Sequence, residues 1–369
     1  MSAKKKPSVP ASAPAPVRLA DIAREVGLSR SGVSRALRND PSIPLATCRE
    51  VQKIARKLGF VVDPKLSRAF QLVRRSTGTV TAGTLGLIDA WPAENHWLDR
   101  PDSYTARIHA AAAERAQELG YKLDVFSLHE PGMSTRRLQS ILDARRVAGL
   151  ILPPMPDDTP TLPIRWEKYP CIALTYSLHR PALHRVVPHQ FQAATLALRH
   201  LQLGGYRRIG FLTWHDIDVR VNQHFHAAYL AYQATVPPED RLPMLAPHGE
   251  TDDLLAAWIE QHRPDAVLAT LSGFVELLER AGFNDFPRVG FASLGGSFVR
   301  PGHPLHQQVA HIDQNVTLVG RSGVDQLVAQ IDRREHGVPD VANILMIEGS
   351  WVPGATSRPA TLLPERLEP

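Results

Sequence analysis

A short segment near the amino terminus carries side chains that suit contacts with nucleic-acid bases. It reads Ser29-Arg30-Ser31-Gly32-Val33-Ser34-Arg35. Arg30 and Arg35 each present a planar guanidinium fork that matches the paired acceptors of guanine, and Ser31 can contact a base edge less selectively. The side chains placed for phosphate contacts are Ser29, Ser34 and Arg38. The segment therefore indicates readout of double-stranded DNA through the major groove.

Three short helices are predicted around this segment. Apolar residues recur at helical spacing from Leu19 to Val26, and Gly27 ends the first helix. Ser29 can cap a second helix that runs to about Leu37. A third helix is predicted from about Pro44 to Leu58. Three helices in about forty residues, with a tight turn between the first two, are the layout of a helix-turn-helix domain.

The formal net charge of +5 is the sum of two regions of opposite sign. Residues 1–75 hold 16 Lys and Arg against 5 Asp and Glu, a net charge of +11, and the remaining residues have a net charge of −6. A basic end joined to a mildly acidic body predicts a polyanion-binding module attached to a separate domain.

The composition excludes several classes of protein. The 369 residues are 43% hydrophobic and 21% charged, which is typical of a globular chain with two or three domains. No run of eighteen apolar residues predicts a membrane span, and residues 1–16 lack the apolar segment of a secretory signal. Cys48 and Cys171 are too few for a disulfide framework or a zinc site of paired thiolates. We expect a protein of the reducing cytoplasm that makes no membrane contact.

Beyond residue 80 the sequence alternates between apolar strand-like runs and helical segments. This alternation predicts parallel sheets with helices on both faces, built either as one large sheet or as two lobes. The predicted strands are 83–89, 123–128, 149–152, 171–176, 186–187, 208–212, 266–269, 288–291 and 311–312. The predicted helices are 104–119, 134–145, 191–203, 221–233, 251–261, 273–281 and 316–334. Ligands of such folds bind at the carboxyl ends of the strands or between two lobes.

Aromatic and polar side chains follow several of the predicted strands. Asp89, Trp91 and Trp97 follow the first strand, Tyr176 ends another, and Trp214 follows a third. Flat rings with a few polar groups suit a sugar ring or a nucleoside. The same tryptophans can equally be ordinary core residues, so both interpretations stay open here.

The predicted headpiece resembles that of the LacI/GalR family of bacterial transcription regulators. The match is close over residues 19–58 and continues more loosely through 187–209, 311–315 and 347–356. The resemblance implies a small all-α helix-turn-helix headpiece joined by a hinge to an α/β two-lobe domain like the periplasmic binding proteins. It also implies a homodimer, a hinge helix ordered on operator DNA, and a small-molecule effector such as a carbohydrate.

The resemblance and the composition together suggest a division of the chain into five parts. These are a disordered basic tail (1–16), the headpiece (17–61), a hinge helix and linker (62–80), a two-lobe effector-binding and dimerisation domain (81–357) and a carboxyl-terminal tail (358–369).

The sequence departs from the family pattern in the headpiece and the hinge. Gly32 stands where Thr is usual, and Arg18 stands where a Thr commonly caps the first helix. Ala69 falls where the family usually has a Leu that wedges into the minor groove, and Ala is too small to kink the duplex well. Phe70 or Leu66 can take this role after a small shift in register, or these residues merely pack the linker. The candidate hinge contacts with DNA are Arg68, Ala69 and Phe70.

The resemblance also assigns positions in the effector pocket. Family pockets often use carboxylates to accept hydrogen bonds from sugar hydroxyls. Ser272 and Ala292 occupy two positions where Asp is usual, and Arg220 lies one place from the family's arginine. We therefore do not expect the usual sugar chemistry to be retained intact.

An enzyme and a transport-type solute-binding protein are alternatives that the same α/β body allows. No nucleophile elbow, Walker loop or GxGxxG precedes a helix, and His224-Phe225-His226 would need further ligands to hold a metal. We therefore predict no catalytic residue, metal or cofactor. The basic headpiece and the missing export signal argue against a transport protein. Retention on duplex DNA with a steep salt dependence distinguishes the regulator from both alternatives.

The sequence is thus interpreted as a bacterial, cytoplasmic, ligand-responsive transcriptional regulator, most simply a repressor, that associates with the nucleoid when bound to DNA. A homodimer would bind a pseudo-palindromic operator. Effector binding between the lobes would shift the population that is competent to bind DNA. Induction and co-repression both stay open, because the sequence does not give the sign of this coupling.

Overall fold

The fold is known from a computed structural model, which describes residues 17, 19–37, 43–58, 60, 83–92, 97, 100, 102–156, 162, 164–247, 252–296 and 299–360. The chain divides into two compact units, residues 1–80 and residues 81–369. Our finer domain boundaries remain predictions. The predicted basic tail, the hinge helix, Arg38, Arg68, Ala69 and Phe70 lie outside the described residues, as do the side chains of Ser31 and Ser34.

The first unit contains the three predicted helices, α1 (Leu19–Val26), α2 (Arg30–Leu37) and α3 (Leu45–Lys57). Gly27 adopts a left-handed φ of +66°, a conformation that glycine takes at little cost, and this lets the chain turn sharply after α1. The three helices pack around six buried side chains: Ile22, Val33, Ala36, Cys48, Val51 and Ala55. The predicted helix-turn-helix arrangement is confirmed.

The second unit alternates between strands and helices, as predicted. Its elements are, in chain order, β1 (Gly83–Asp89), α4 (Tyr104–Glu118), β2 (Tyr121–Ser127), α5 (Thr135–Ala144), β3 (Val147–Leu152), β4 (Cys171–Leu174), β5 (Arg185–Pro188), α6 (Gln190–Leu203), β6 (Ile209–Leu212), α7 (His215–Arg220), α8 (His224–Thr235), α9 (Asp252–His262), β7 (Ala266–Ala269), α10 (Phe274–Arg280), β8 (Gly290–Ser293), β9 (His311–Asp313), α11 (Val316–Arg333), β10 (Ile344–Ile347) and β11 (Ser350–Val352). Short 3-10 turns lie at Trp166–Lys168 and Pro238–Asp240.

These elements form two lobes, not one large sheet. The first lobe has a parallel sheet in the order β2-β1-β3-β4-β5-β10, with α4 and α11 packed on one face and α5 on the other. The second lobe has the order β6-β7-β8-β9-β11, in which only β11 is antiparallel among the described strands. Helices α6 and α8 cover one face of this sheet, and α9 and α10 cover the other.

The chain passes between the lobes at three points, after β5, after β9 and after β10. We call these the first, second and third crossings. The three crossings lie side by side, since backbone and side-chain hydrogen bonds join residues of the third crossing to residues of the other two. They form the hinge between the lobes.

Several details differ from the sequence prediction. Strands β10 and β11 were not predicted; β10 is an edge strand in which three of the four side chains are exposed. The predicted helix 221–233 begins only at His224, as α8, and the short helix α7 before it was not predicted; Asn222 and Gln223 separate the two helices with left-handed φ values of 57° and 58°. Strand β8 begins at Gly290, two residues later than predicted.

Candidate functional site

Helix α2 in the first unit has one apolar face and one polar face. At about 100° per residue, Arg30 and Arg35 lie within about 140° of each other, and Val33 and Ala36 fall on the opposite side. Val33 and Ala36 are fully buried, whereas both arginines are exposed. The core therefore holds α2 by one face and leaves two guanidinium groups on the outside.

The amino end of α2 is capped by a side chain. The Ser29 hydroxyl accepts a hydrogen bond from the Gly32 backbone N–H at 3.0 Å, so the predicted cap is confirmed. An ideal Cβ placed on Gly32 would lie 3.3 Å from the Ser29 oxygen, which is a tight contact. Glycine at position 32 thus leaves room for the cap, which gives a physical reason for the unusual residue there.

In the second unit, Asp89 lies at the carboxyl end of β1 and organises the surrounding aromatic residues. Its side chain is fully buried. One carboxylate oxygen accepts hydrogen bonds from the Trp91 backbone N–H at 3.1 Å and from the Trp97 indole N–H at 2.9 Å. The Trp91 indole N–H donates to the Pro154 carbonyl beyond β3 at 2.7 Å. These bonds fix both indoles at one edge of the first sheet.

The two tryptophans beside Asp89 have different surroundings. Trp97 is only 4% exposed, packs in the core of the first lobe and lies 5.0 Å from the His109 ring. Trp91 is half-buried, and the Arg220 guanidinium of the second lobe lies 5.8 Å from its ring centre. Trp97 is therefore placed to support Asp89, whereas Trp91 faces the opposite lobe.

A second contact between the lobes joins Tyr176, just beyond β4, to His224 at the start of α8. The two rings meet edge to face with centres 4.9 Å apart. Burial lowers the pKa of His224; the nearby charge of His189 lowers it further, and Asp218 acts in the opposite direction. The two contacts between the lobes, Trp91 with Arg220 and Tyr176 with His224, both involve side chains at the strand ends of the first lobe. We call the space that these two contacts border the cleft.

The Tyr176 hydroxyl is buried without a hydrogen-bond partner among the residues that the structure describes. The residue is 5% exposed, and the Arg185 guanidinium lies over its ring at 5.6 Å. Burial raises the pKa of the hydroxyl, while Arg185 acts against that shift. A buried hydroxyl without a partner is costly, so it is a natural contact point for a bound molecule.

The second lobe contributes neutral side chains at its strand ends. Trp214 follows β6 and stacks on Phe274 with ring centres 5.2 Å apart. Ser272, in the turn after β7, is buried. Ala292 lies inside β8 and packs in the core of the second lobe, so the structure does not place it with the other predicted residues.

Three residues of this region were not predicted as part of an effector site, although His224 was considered as a metal ligand. His129, after β2, has a ring nitrogen 2.8 Å from the Ala90 carbonyl. Arg185 and His224 contact Tyr176 from two sides. The position of His129 just beyond a predicted strand was a usable signal, but no local pattern points to the other two, because their contacts depend on tertiary structure.

Neither a metal cluster nor a membrane span is found in the part of the chain that the structure describes. No group of three or more His, Cys, Asp or Glu side chains is arranged to hold a metal ion there. His226 donates its backbone N–H to the Asp218 carboxylate, while the ring of His224 faces Tyr176. None of the described helices is long and apolar enough to cross a membrane.

Comparison with solved structures identifies the fold. The chain is similar to the lac repressor dimer bound to operator and the anti-inducer ONPF, with 17% identity and a TM-score of 0.53 over 93% of this chain and 100% of that one. The complex of the transcriptional regulator CelR with cellobiose gives 19% identity and a TM-score of 0.56 over 92% and 100%. A LacI transcriptional regulator from a Rhodococcus species gives 21% identity and a TM-score of 0.54 over 75% and 99%. A search of curated protein sequences gave no match.

Two family models match the sequence itself. Residues 18–63 match the model for bacterial regulatory proteins of the lacI family. Residues 98–346, more than half of the chain, match the model for periplasmic binding proteins and the sugar binding domain of the LacI family. The predicted family, fold class and regulatory function are thereby confirmed: the chain belongs to the LacI family of DNA-binding transcriptional regulators.

Proposed function

We propose that this protein binds a pseudo-palindromic operator as a homodimer, with α2 of each copy in the major groove. The observation that carries the proposal is the pair of exposed arginines on α2, held outward by the buried opposite face. The similarity in fold to the lac repressor dimer on its operator supports it. Such a regulator acts on the bacterial chromosome, which places it in the cytoplasm, and we assign it no catalytic role.

Each proposed DNA contact has a separate task. Arg30 and Arg35 bind guanine bases, and Ser31 contacts a base edge. The side chains proposed to bind phosphates are Ser29, Ser34 and Arg38. In the hinge segment the proposed contacts are Arg68, Ala69 and Phe70. The contacts of the hinge segment rest on sequence alone.

The cleft is proposed as the effector site. Its first-lobe contributors are Asp89, Trp91 and Tyr176, and its second-lobe contributors are Trp214, Arg220 and Ser272. Trp97 supports Asp89 from the core, and Ala292 is left out because of its position inside the second lobe. A sugar or related metabolite is the proposed ligand class, supported by the matched sugar-binding model and by the cellobiose complex of CelR.

The proposed response couples the two sites. An effector that prefers one arrangement of the lobes shifts the population toward that arrangement, and thereby changes how the two headpieces of a dimer meet DNA. The effector must bind the two states with different affinities, since equal affinities shift nothing.

Selection of binding sites from a random duplex library tests the DNA-binding proposal. The full-length chain is expected to enrich one two-fold symmetric sequence. Its affinity for that sequence should fall steeply between about 50 and 200 mM salt, because phosphate contacts release counterions. Enrichment of no sequence, or an affinity that does not depend on salt, would contradict the proposal.

Replacing Tyr176 with phenylalanine tests the cleft. Removing a buried hydroxyl that has no partner is expected to leave the ligand-free protein as stable as wild type or up to about 1 kcal/mol more stable. A thermal-shift screen of sugars, sugar phosphates and nucleosides should show a smaller shift in the Tyr176→Phe variant for any compound that stabilises the wild type. Tyr232, whose buried hydroxyl also has no partner among the described residues and which packs in the core of the second lobe, is changed to Phe as the matched control. Equal ligand-induced shifts in wild type and Tyr176→Phe would remove Tyr176 from the site.

A further inference from the structure

The third crossing, residues 347–349, is held by hydrogen bonds from both neighbouring crossings. The His189 backbone N–H in the first crossing donates to the Ile347 carbonyl at 2.7 Å. The Asn315 side-chain amide in the second crossing donates to the Glu348 carbonyl at 2.8 Å. The bonds to Gly349 come from a second side chain, that of Gln192 in the first turn of α6.

Gln192 binds both backbone groups of Gly349. The Gly349 N–H donates to the Gln192 side-chain oxygen at 3.0 Å, and the Gln192 side-chain N–H donates to the Gly349 carbonyl at 3.2 Å. A primary amide is neutral and offers one donor edge and one acceptor edge, so it can pair with a backbone unit as a neighbouring strand would. We call this pair of bonds the amide clamp.

The amide clamp continues the ladder between β5 and β10 beyond its last pair. That ladder ends at Ile347 paired with Pro188, and proline has no N–H to extend it. The His189 N–H supplies the next bond, and the Gln192 side chain pairs with the residue two places after Ile347. The pairing that begins in the first lobe is thus carried across the hinge by a side chain.

Gly349 has no room for a side chain of its own. An ideal Cβ would lie 2.6 Å from the Ile312 side chain in β9 and 3.1 Å from the Asp313 carbonyl. The third crossing therefore passes tightly against the end of β9 while Gln192 holds its backbone. A segment constrained from two sides cannot move independently of α6.

We propose that Gln192 is a positioning residue of the hinge, which holds the first and third crossings in register and thereby sets the arrangement of the two lobes. This inference rests on the proposed function, in which the arrangement of the lobes governs operator binding. Without the amide clamp the third crossing keeps its bonds to His189 and Asn315 but loses the two bonds at Gly349. The lobes should then sample a wider range of angles.

The Gln192→Glu variant distinguishes the loss of the bonds at Gly349 from a general loss of stability. Its ionised carboxylate still accepts from the Gly349 N–H but repels the Gly349 carbonyl. Once protonated, the carboxyl group donates to that carbonyl and restores both bonds, because a carboxylic acid has nearly the shape of the amide. The variant should therefore move toward wild-type behaviour as the pH falls to about 4.5, where about half of an ordinary glutamate is protonated, and keep only the bond from the Gly349 N–H at pH 8.

Hydrogen exchange of the full-length chain, followed by mass spectrometry of peptides spanning residues 344–352, measures the amide clamp directly. At pH 8 we expect about tenfold faster exchange in Gln192→Glu than in wild type, and this ratio should decrease as the pH falls toward 4.5. Wild type is measured at each pH as the reference. Gln192→Ala should exchange faster at every pH.

Exposed Gln202, near the end of the same helix, provides the control variant Gln202→Glu, which should match wild type throughout. Exchange that does not differ between wild type and Gln192→Glu at pH 8 would overturn the inference. Faster exchange with unchanged affinity for the selected operator would overturn the positioning role and leave only a structural one. If wild type itself selects no operator, the proposed function fails, while the exchange ratio still decides whether the amide clamp exists.

Discussion

Replacing Arg35 with alanine is expected to weaken binding to the selected operator by about 1–3 kcal/mol, or roughly 5- to 150-fold in affinity. The loss arises because alanine cannot supply the two parallel N–H donors that match a guanine edge. Arg35 is exposed on the face of α2 opposite the headpiece core, so the variant should fold and melt like wild type. Fluorescence anisotropy with the selected duplex at fixed salt measures the change.

Two further variants separate base recognition from charge. Arg35→Lys keeps the positive charge but not the planar fork, so it should lose most of the preference for the operator while retaining affinity for unrelated DNA. Arg24→Ala removes an exposed arginine from α1 that lies 3.7 Å from Asp21, and it should change operator preference little. Equal operator affinity in wild type and Arg35→Ala would remove Arg35 from the recognition surface.

The headpiece could be predicted from sequence because its structure is set by residues close together in the chain. Ile22, Val33 and Val51 each belong to the apolar face of one of the three helices and meet in one core, and Gly27 and Ser29 provide the local signals for a turn and a cap. Each signal acts within about one helical turn. A single sequence therefore contains nearly all the information that positions α2 and exposes its arginines.

The cleft could be predicted only as a region. Strand ends gave the right neighbourhood for Asp89, Trp91 and Tyr176, since parallel strands present their carboxyl ends at one edge. The partners that define each environment are distant in sequence: Trp91 binds Pro154 and faces Arg220, and Tyr176 meets His224. Such pairs follow from the packing of two lobes, which no local pattern encodes.

The face of the sheet on which a side chain lies could not be predicted from the sequence either. Ala292 and Ser293 are neighbours in β8, and successive residues of a strand point to opposite faces. Ala292 packs with the helices α6 and α8, whereas the Ser293 hydroxyl accepts the Gly295 backbone N–H at 3.1 Å. A match to a family position therefore did not show which face of the second lobe Ala292 occupies.

Replacing Asp89 tests whether its carboxylate holds Trp91 and Trp97 in place on the first-lobe side of the cleft. Asp89→Ala would remove the acceptor of the buried Trp97 indole N–H and of the part-buried Trp91 backbone N–H, and the loss of the acceptor for a buried donor costs about 1–3 kcal/mol. For a unit of this size each kcal/mol lowers the melting temperature by about 2–4 °C, so we expect a loss of several degrees. Any compound that stabilises wild type should bind this variant much more weakly.

Asp89→Asn separates the hydrogen bonds from the charge. One Asp89 oxygen accepts both N–H groups, and the asparagine oxygen can take the same place, so this variant should keep most of the thermal stability that Asp89→Ala loses. If the carboxylate also binds ligand hydroxyls, Asp89→Asn should still weaken ligand binding, because its second atom donates where the carboxylate accepts. Thermal melting and ligand titration of both variants measure the two effects independently. Ligand affinity equal to wild type in Asp89→Asn, together with a low melting temperature in Asp89→Ala, would limit Asp89 to holding the two tryptophans.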